Sequence, residues 1–237
     1  HLGQLTSALP EIPLYMGELS KEVAMIATEH QDKDLYLRLL DANTFRGGEA
    51  FTIGNIHIRP LVIDHSAVDS YMFVIEAEGK RVLYTGDFRM HGVRGHVLEK
   101  LIRTYIGEVD VLITDGTSLS RNAHDGISER EVLDDISSYI QDGKYVFVMC
   151  SSTNIDRIMG IWHNMPTDKV LICDAYQKRI LDTVIDNVYY DSSLYRRPDS
   201  PLVLDIGAYP KYYMDNGFVS LVRGTENYIS QIKKFPK

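Results

Sequence analysis

The spacing of hydrophobic residues changes along the chain. Up to about residue 138, short apolar runs separated by turn residues predict strands at 51–53, 56–63, 71–77 and 81–85, with Gly79 suited to a tight hairpin turn between the last two. Apolar residues at helical spacing predict helices at 20–30 and 95–105, and a strand follows at 109–115. This first region therefore has the pattern of a hairpin-rich α/β domain.

A second pattern begins with a capping box, Ser128 to Glu131, which predicts a helix ending near Gln141. Beyond it, strand-like and helix-like segments alternate through KYVFVMC, IDRIMGIW, KVLICD and AYQKRILDTVI. This alternation is typical of parallel βαβ units. We therefore predict an α/β protein with two domains, residues 1–138 and 139–237, and a boundary between Ser138 and Gly143.

Composition limits the class of protein. The 237 residues are 44% hydrophobic and 24% charged, which is typical of globular proteins. The longest apolar runs are the length of strands, so we expect no membrane-spanning helix and no membrane partner. A net charge of -8 argues against a broad nucleic-acid-coating surface but leaves room for a local basic groove. Two cysteines in strand-like runs, Cys150 and Cys173, favour a reducing, cytoplasmic location.

Candidate chemistry lies where three predicted strands end. Asp64 and His65 follow one strand, Asp87 follows a second after Gly86, and Asp115 follows a third. Imidazole and carboxylate together suit zinc or another divalent first-row metal. Taken singly, each residue also fits an ordinary role, such as a hydrogen-bonded loop histidine or an aspartate in a turn or helix cap.

Two of these segments resemble a known family. The run His65-Ser66, Asp69-Ser70, followed by a hairpin and Thr85-Gly86-Asp87-Phe88, is similar to motifs of the β-CASP nucleases within the metallo-β-lactamase superfamily, which include ribonuclease J and the pre-mRNA 3′-end cleavage nuclease. The opening HLGQLTSALPEIPLYMG resembles the end of the family's metal signature, and TDGTS resembles its acidic motif A, with Gly116 where serine is more usual. The resemblance implies part of a metallo-β-lactamase αββα sandwich followed by a β-CASP-like cap.

The same resemblance implies a mechanism and its residues. The expected activity is two-metal hydrolysis of RNA by a zinc-dependent phosphodiesterase, with two zinc ions, or manganese, as cofactors and single-stranded RNA as substrate. His1, His65 and Asp87 match metal ligands, Asp87 at the bridging position. Asp87 and Asp115 are the expected catalytic residues. Asp69 is expected to orient a ligand or the site water, although a turn cap explains it equally well.

The loop SSTN is a candidate contact to substrate. Ser151, Ser152 and Asn154 lie between a predicted strand and a predicted helix, where free backbone N–H groups and hydroxyls form a suitable seat for phosphate. A simple helix N-cap explains the same residues. A homodimer is compatible with the sequence, which does not fix the oligomeric state.

Two other functions remain open at this stage. The chain could be another hydrolase of the same fold, acting on a thioester or lactone, or a non-catalytic scaffold that has lost its metals. Most of the family's metal signature and its two later histidine motifs have no match in the sequence. We therefore expect these 237 residues alone to bind metal weakly and to be inactive.

Overall fold

The chain divides into two compact units, His1–Ser128 and Glu129–Lys237. The computed structural model describes residues 11–117, 126–190, 192–205 and 210–235. The boundary expected near residue 138 falls inside a helix, α4 (Glu129–Asp142), and this helix belongs to the second unit. The capped helix that the sequence assigned to the end of the first domain therefore opens the second.

The first unit begins with a small βααβ element. Its parts are β1 (Tyr15–Gly17), α1 (Glu18–Thr28), α2 (Lys33–Leu40) and β2 (Asn43–Phe45). The strands β1 and β2 pair in parallel, and the two helices pack through a cluster that includes Ala24, Leu35 and Leu39. Asp32 caps α2 by accepting a hydrogen bond from the backbone N–H of Leu35 at 3.0 Å. The predicted helix at 20–30 is thus confirmed within two residues at each end.

A five-stranded sheet forms the rest of the first unit. Its strands, in spatial order, are β3 (Phe51–Ile53), β4 (Ile56–Val62), β5 (Tyr71–Ala77), β6 (Lys80–Tyr84) and β7 (Val111–Ile113). Neighbours from β3 to β6 are antiparallel, whereas β7 is parallel to β6. Alternate side chains of β5, Met72 and Val74, are buried against Leu61, Leu83 and Ile106. The predicted strands and the hairpin at Gly79 are confirmed.

The helix predicted at 95–105 forms in three pieces. A 3₁₀ turn at Gly95–Val97 leads into α3 (Leu98–Leu101) and then into a π-helical turn at Ile102–Ile106. Gly107, at φ +64°, ends this segment in a conformation that favours glycine. Ile106, at the end of the π turn, is buried in the core cluster of the sheet. Because a π turn is wider than an α-helical turn, the α-helical spacing of apolar residues predicts only the approximate extent of this segment.

The second unit is a parallel α/β layer. After α4, its elements are β8 (Tyr145–Met149), α5 (Ile155–His163), β9 (Val170–Cys173), α6 (Ala175–Asn187), β10 (Leu202–Leu204), α7 (Lys211–Asn216), β11 (Phe218–Val222) and α8 (Glu226–Ile232). The four strands are all parallel, in the order β10-β9-β11-β8. Every residue of the central strand β11 is buried. The predicted βαβ pattern and the general α/β class are confirmed.

No helix in the described ranges is both long enough and apolar enough to cross a membrane.

A buried ion pair joins the first two helices of the second unit. Glu129, 2% exposed, accepts hydrogen bonds from Arg157 Nε at 2.6 Å and Nη2 at 2.9 Å. These contacts raise the pKa of Arg157. Beside this pair, a Cβ added at Gly160 of α5 would lie 2.6 Å from Leu133 Cδ1, so the two helices are in close contact. The bidentate pair therefore fixes the start of α4 against α5.

We predict that Glu129→Ala destabilises the second unit. Arg157, whose side chain is 32% exposed, then loses its counter-charge but stays in contact with water, so the cost should be about 1–3 kcal/mol, below that of a fully buried pair. Asp134→Ala, an exposed carboxylate on the same helix, is the control and should change stability by less than about 0.5 kcal/mol. Urea unfolding followed by circular dichroism measures both, and equal midpoints for the two variants would contradict the assigned role of Glu129.

Candidate functional site

Strand direction brings the predicted site residues to one edge of the five-stranded sheet. Because β4 and β6 are each antiparallel to β5, and β7 is parallel to β6, the strands β4, β6 and β7 all run the same way. His65, Asp87 and Asp115 follow the ends of these three strands, and Asp69 precedes β5. All four residues therefore lie at the same sheet edge, on loops leaving a rigid framework.

The loops after β4 and β6 are joined by Asp64. Its carboxylate, 1% exposed, accepts a hydrogen bond from Arg89 Nε at 2.8 Å and one from the backbone N–H of Arg94 at 2.5 Å. Its backbone carbonyl accepts the N–H of Arg89 at 3.0 Å. A buried carboxylate is stable only when it is paired and hydrogen-bonded in this way. Asp64 is thus a structural residue that holds the loop carrying Asp87 beside the loop carrying His65.

The end of β6 is shaped by Thr85 and Gly86. Thr85 is buried, and its Oγ1 donates to the Gly86 carbonyl at 2.8 Å and accepts the backbone N–H of Asp115 at 3.3 Å. Gly86 has φ +57°, and a Cβ there would lie 3.3 Å from the Tyr71 carbonyl oxygen. This turn directs the chain out of the sheet, so Asp87 is exposed. The strand exits carrying Asp87 and Asp115 are therefore linked through one threonine hydroxyl.

Asp115 is held in its ionised form by its own loop. Its Oδ1 accepts the backbone N–H of Thr117 at 2.8 Å and its Oδ2 accepts the Thr117 hydroxyl at 3.0 Å. These two hydrogen bonds are the main cause of a lowered pKa, and the nearby charge of His65 lowers the pKa of Asp115 further. Asp115 thus owes its ionised form mainly to Thr117.

Asp69 has structural partners. It is buried, and its Oδ2 accepts the backbone N–H of Ser20 in the first turn of α1 at 3.0 Å. The Tyr71 hydroxyl donates to its Oδ1, and its carbonyl accepts the Ser20 hydroxyl at 2.9 Å. With φ +61°, it adopts a conformation that aspartate tolerates better than most residues. Its carboxylate thus caps α1 against the sheet edge.

His65 and Asp87 differ from their neighbours in having unengaged polar atoms. Neither side chain has a hydrogen bond or ion pair to any residue in the described ranges. An imidazole and a carboxylate left unengaged at one edge are a donor set that fits zinc. Within the described part of the chain, however, no group of three metal-ligating side chains forms. His1, the third predicted ligand, lies outside the described residues.

The predicted phosphate seat belongs to the second unit. Ser151 and Thr153 contact each other through their hydroxyls at 3.1 Å, and the backbone N–H of Asn154 donates to the Ser151 carbonyl at 3.0 Å. Asn154 stands at the N-cap of α5, but its side chain makes no capping hydrogen bond. Its Oδ1 is buried without a partner among the described residues. Ser152 contributes its carbonyl, which accepts Gln177 Nε2 at 3.2 Å.

Comparison with known proteins establishes the fold only. No protein-family model matches the chain, and no curated protein does. Among solved structures, the chain is similar to the crystal structure of a protein of unknown function from Enterococcus faecalis V583, with a TM-score of 0.70 and 15% identity. The match covers 92% of this chain and 55% of that one, so this chain spans about half the length of its structural relative.

The sequence analysis missed the residues that position the site. Thr85 is visible in the sequence only as part of the Thr-Gly-Asp-Phe motif, and no sequence pattern assigns a role to Thr117 or Arg89. Their importance arises from contacts between strand exits, such as Arg89 to Asp64, 25 residues apart in the sequence. A threonine before a Gly-Asp turn and a second threonine two residues after an aspartate were the available signals.

We predict that Gly92→Ala destabilises the first unit. An added Cβ would lie 2.1 Å from Asp64 Oδ1 and 2.4 Å from Arg89 Nε, so the buried ion pair must move. Overpacking of this kind costs about 1–3 kcal/mol. Gly126→Ala is the control, because a Cβ there meets no atom of the described residues within 4 Å. Thermal unfolding should separate the two variants, and an unchanged melting temperature for Gly92→Ala would contradict this packing.

The pKa of Asp115 offers a second test. Carboxyl-carbon NMR titration should give a value below the ordinary aspartate pKa of about 3.9, and Thr117→Val should raise it by removing one of the two hydrogen bonds. Asp110, whose pKa is lowered by Lys80, is the internal control and should not respond. Since the folded pKa is depressed, the stabilisation from Asp115 is present above the unfolded value and lost as pH falls through the folded one.

Proposed function

We propose that the chain is part of a zinc-dependent phosphodiesterase of the β-CASP nuclease family, within the metallo-β-lactamase superfamily, and that it cleaves single-stranded RNA. The observation that carries this proposal is the position of His65, Asp87 and Asp115 after three strands that end at one edge of the sheet. The sequence resemblance assigns roles to the same three residues. The fold shared with the Enterococcus faecalis protein is compatible with the proposal but does not favour it over other hydrolases.

The residues of this edge would act in distinct ways. His65 and Asp87 would hold zinc, since neither side chain is engaged within the described ranges. Bound zinc, or manganese in its place, supplies Lewis-acid polarisation of a phosphodiester and a lowered pKa for water. Asp115, kept ionised by Thr117, would orient water at the site. Asp69 would contribute by fixing α1 against the edge.

The cytoplasm is the compartment we propose. Both cysteines are free thiols. Burial raises the pKa of Cys150, and it raises the pKa of Cys173 to about 12, so both remain protonated and unreactive at neutral pH. Free, protonated thiols of this kind suit a reducing compartment. A homodimer remains a prediction that sedimentation velocity would test.

We predict that Asp87→Asn in the full-length natural protein abolishes both metal loading and RNA cleavage. Zinc content, measured by mass spectrometry, should fall. The rate of cleavage of 5′-monophosphorylated single-stranded RNA should fall by at least about 100-fold, because loss of a residue that only supports a metal ligand already lowers activity by up to about that factor. The amide keeps the shape of the side chain but loses the charge that a bridging ligand needs.

Glu108→Gln provides the matched control, because this exposed carboxylate precedes β7 and so lies at the opposite edge of the sheet. It should retain zinc and activity. Unchanged cleavage by the Asp87→Asn variant, with zinc still bound, would refute the proposed site. The 237 residues alone are predicted to be inactive, and zinc-dependent cleavage by this chain would overturn that prediction.

A further inference from the structure

The outer strand of the first sheet, β7, has exposed apolar side chains on both faces. Val111, Leu112 and Ile113 are 46%, 57% and 50% exposed. Leu112 shares a face with its β6 partner, the buried Leu83, whereas Val111 and Ile113 lie on the opposite face, where the exposed Tyr84 is the partner of Ile113. A continuous apolar run of this kind is typical of strands that are covered on both faces. The composition of β7 is therefore that of an interior strand, although β7 lies at an edge.

The backbone of β7 has one side that no described strand uses. The carbonyl of Ile113 accepts the backbone N–H of Thr85 at 3.0 Å, so the backbone polar groups of Ile113 face β6. Successive residues of a strand direct these groups to opposite sides, so the N–H and the carbonyl of Leu112 face away from β6. Among the described residues, β6 is the only strand that pairs with β7. Leu112 therefore offers one donor and one acceptor to a further strand.

The sequence of β7 does not protect this edge from pairing. Exposed edge strands commonly carry charged residues, proline or a bulge, which discourage the addition of another strand. β7 consists of three aliphatic residues in regular register with β6. The carboxylate that precedes it, Asp110, accepts Lys80 Nζ at 2.9 Å and the backbone N–H of Arg81 at 2.8 Å, so its charge is compensated from the β6 side. An unprotected apolar edge of this kind marks an interaction site.

We propose that a β-strand from polypeptide outside these 237 residues, in the same protein, pairs with β7 and extends the sheet. The chain spans about half the length of its structural relative, so a longer protein of this fold has additional chain that can supply the strand. A second copy of the chain fits this edge less well, because β7 has three residues and a stable interface uses about 20–30 residues on each side. A strand in the same polypeptide has a high effective concentration, so a short ladder is sufficient.

Amide hydrogen exchange in the 237-residue chain and in the full-length natural protein tests this pairing. Mass spectrometry with electron-transfer fragmentation resolves the exchange of single amides. The Leu112 amide should exchange rapidly in the 237-residue chain and at least about 100-fold more slowly in the full-length protein, where the added strand accepts its hydrogen bond. The Ile113 amide, which faces β6, should be protected in both proteins.

Leu112→Lys is the variant that should prevent the pairing, because it introduces a charge on the face that the added strand would cover. The substitution should leave the 237-residue chain folded, since Leu112 is already more than half exposed, and circular dichroism checks this. In the full-length protein it should remove most of the protection of the amide at position 112. Ile53→Lys is the matched control, because Ile53 is an exposed aliphatic residue of β3, the strand at the other edge of the same sheet. It should leave the exchange of β7 unchanged.

Each outcome decides the proposal. A Leu112 amide that is already protected in the 237-residue chain overturns it, and so does equal exchange of this amide in the two proteins. Protection that increases with the concentration of the 237-residue chain indicates a second copy and also overturns it. A natural protein whose measured mass corresponds to these 237 residues alone, or undiminished protection in the Leu112→Lys protein, has the same consequence. Neither zinc content nor RNA cleavage enters the measurement, so its failure is distinguishable from failure of the proposed nuclease.

Discussion

The geometry of the first sheet edge depends on the buried carboxylate of Asp64. A charge with 1% exposure must be compensated, and here Arg89 and the backbone N–H of Arg94 compensate it. Because both groups belong to the loop after β6, satisfying this charge also fixes that loop beside the end of β4. The positions of His65 and Asp87 follow from this constraint. Asp64 therefore has a structural role, whereas its sequence neighbour His65 is a candidate metal ligand.

Strand direction is the second constraint. If β7 were antiparallel to β6, Asp115 would lie at the far edge of the sheet, and the carboxylates Glu108 and Asp110 would take its place. In the observed parallel pairing, Tyr84 of β6 lies opposite Ile113 of β7. Asp115 therefore lies beside the turn that carries Asp87. The Thr85 hydroxyl then joins the two exits through the backbone N–H of Asp115. A single buried threonine therefore couples the two carboxylates that the resemblance assigns to catalysis.

Local patterns predicted much of this fold, and the failures have a physical cause. The strands from Phe51 to Tyr84, the turn at Gly79 and the βαβ alternation depend on neighbouring residues, so their pattern is visible in the sequence. The position of the domain boundary depends on tertiary packing, because the ion pair between Glu129 of α4 and Arg157 of α5 holds α4 in the second unit. The order of strand ends that carry the candidate site residues could be inferred from the sequence. The partners of Asp69 and Arg223 could not be inferred, because each lies 49 residues away in the sequence.

The net charge of the chain limits how the proposed substrate could be bound. A protein with a net charge of -8 gains little affinity from phosphate neutralisation spread over its surface. If the proposed function is right, RNA binding by a chain of this charge would depend on local contacts more than on the overall field. In the second unit, the ion pair with Asp174 offsets the charge of Arg223, so this arginine adds little to the attraction of phosphate. Binding through bases is also less sensitive to salt than binding through phosphates, because it releases fewer counterions.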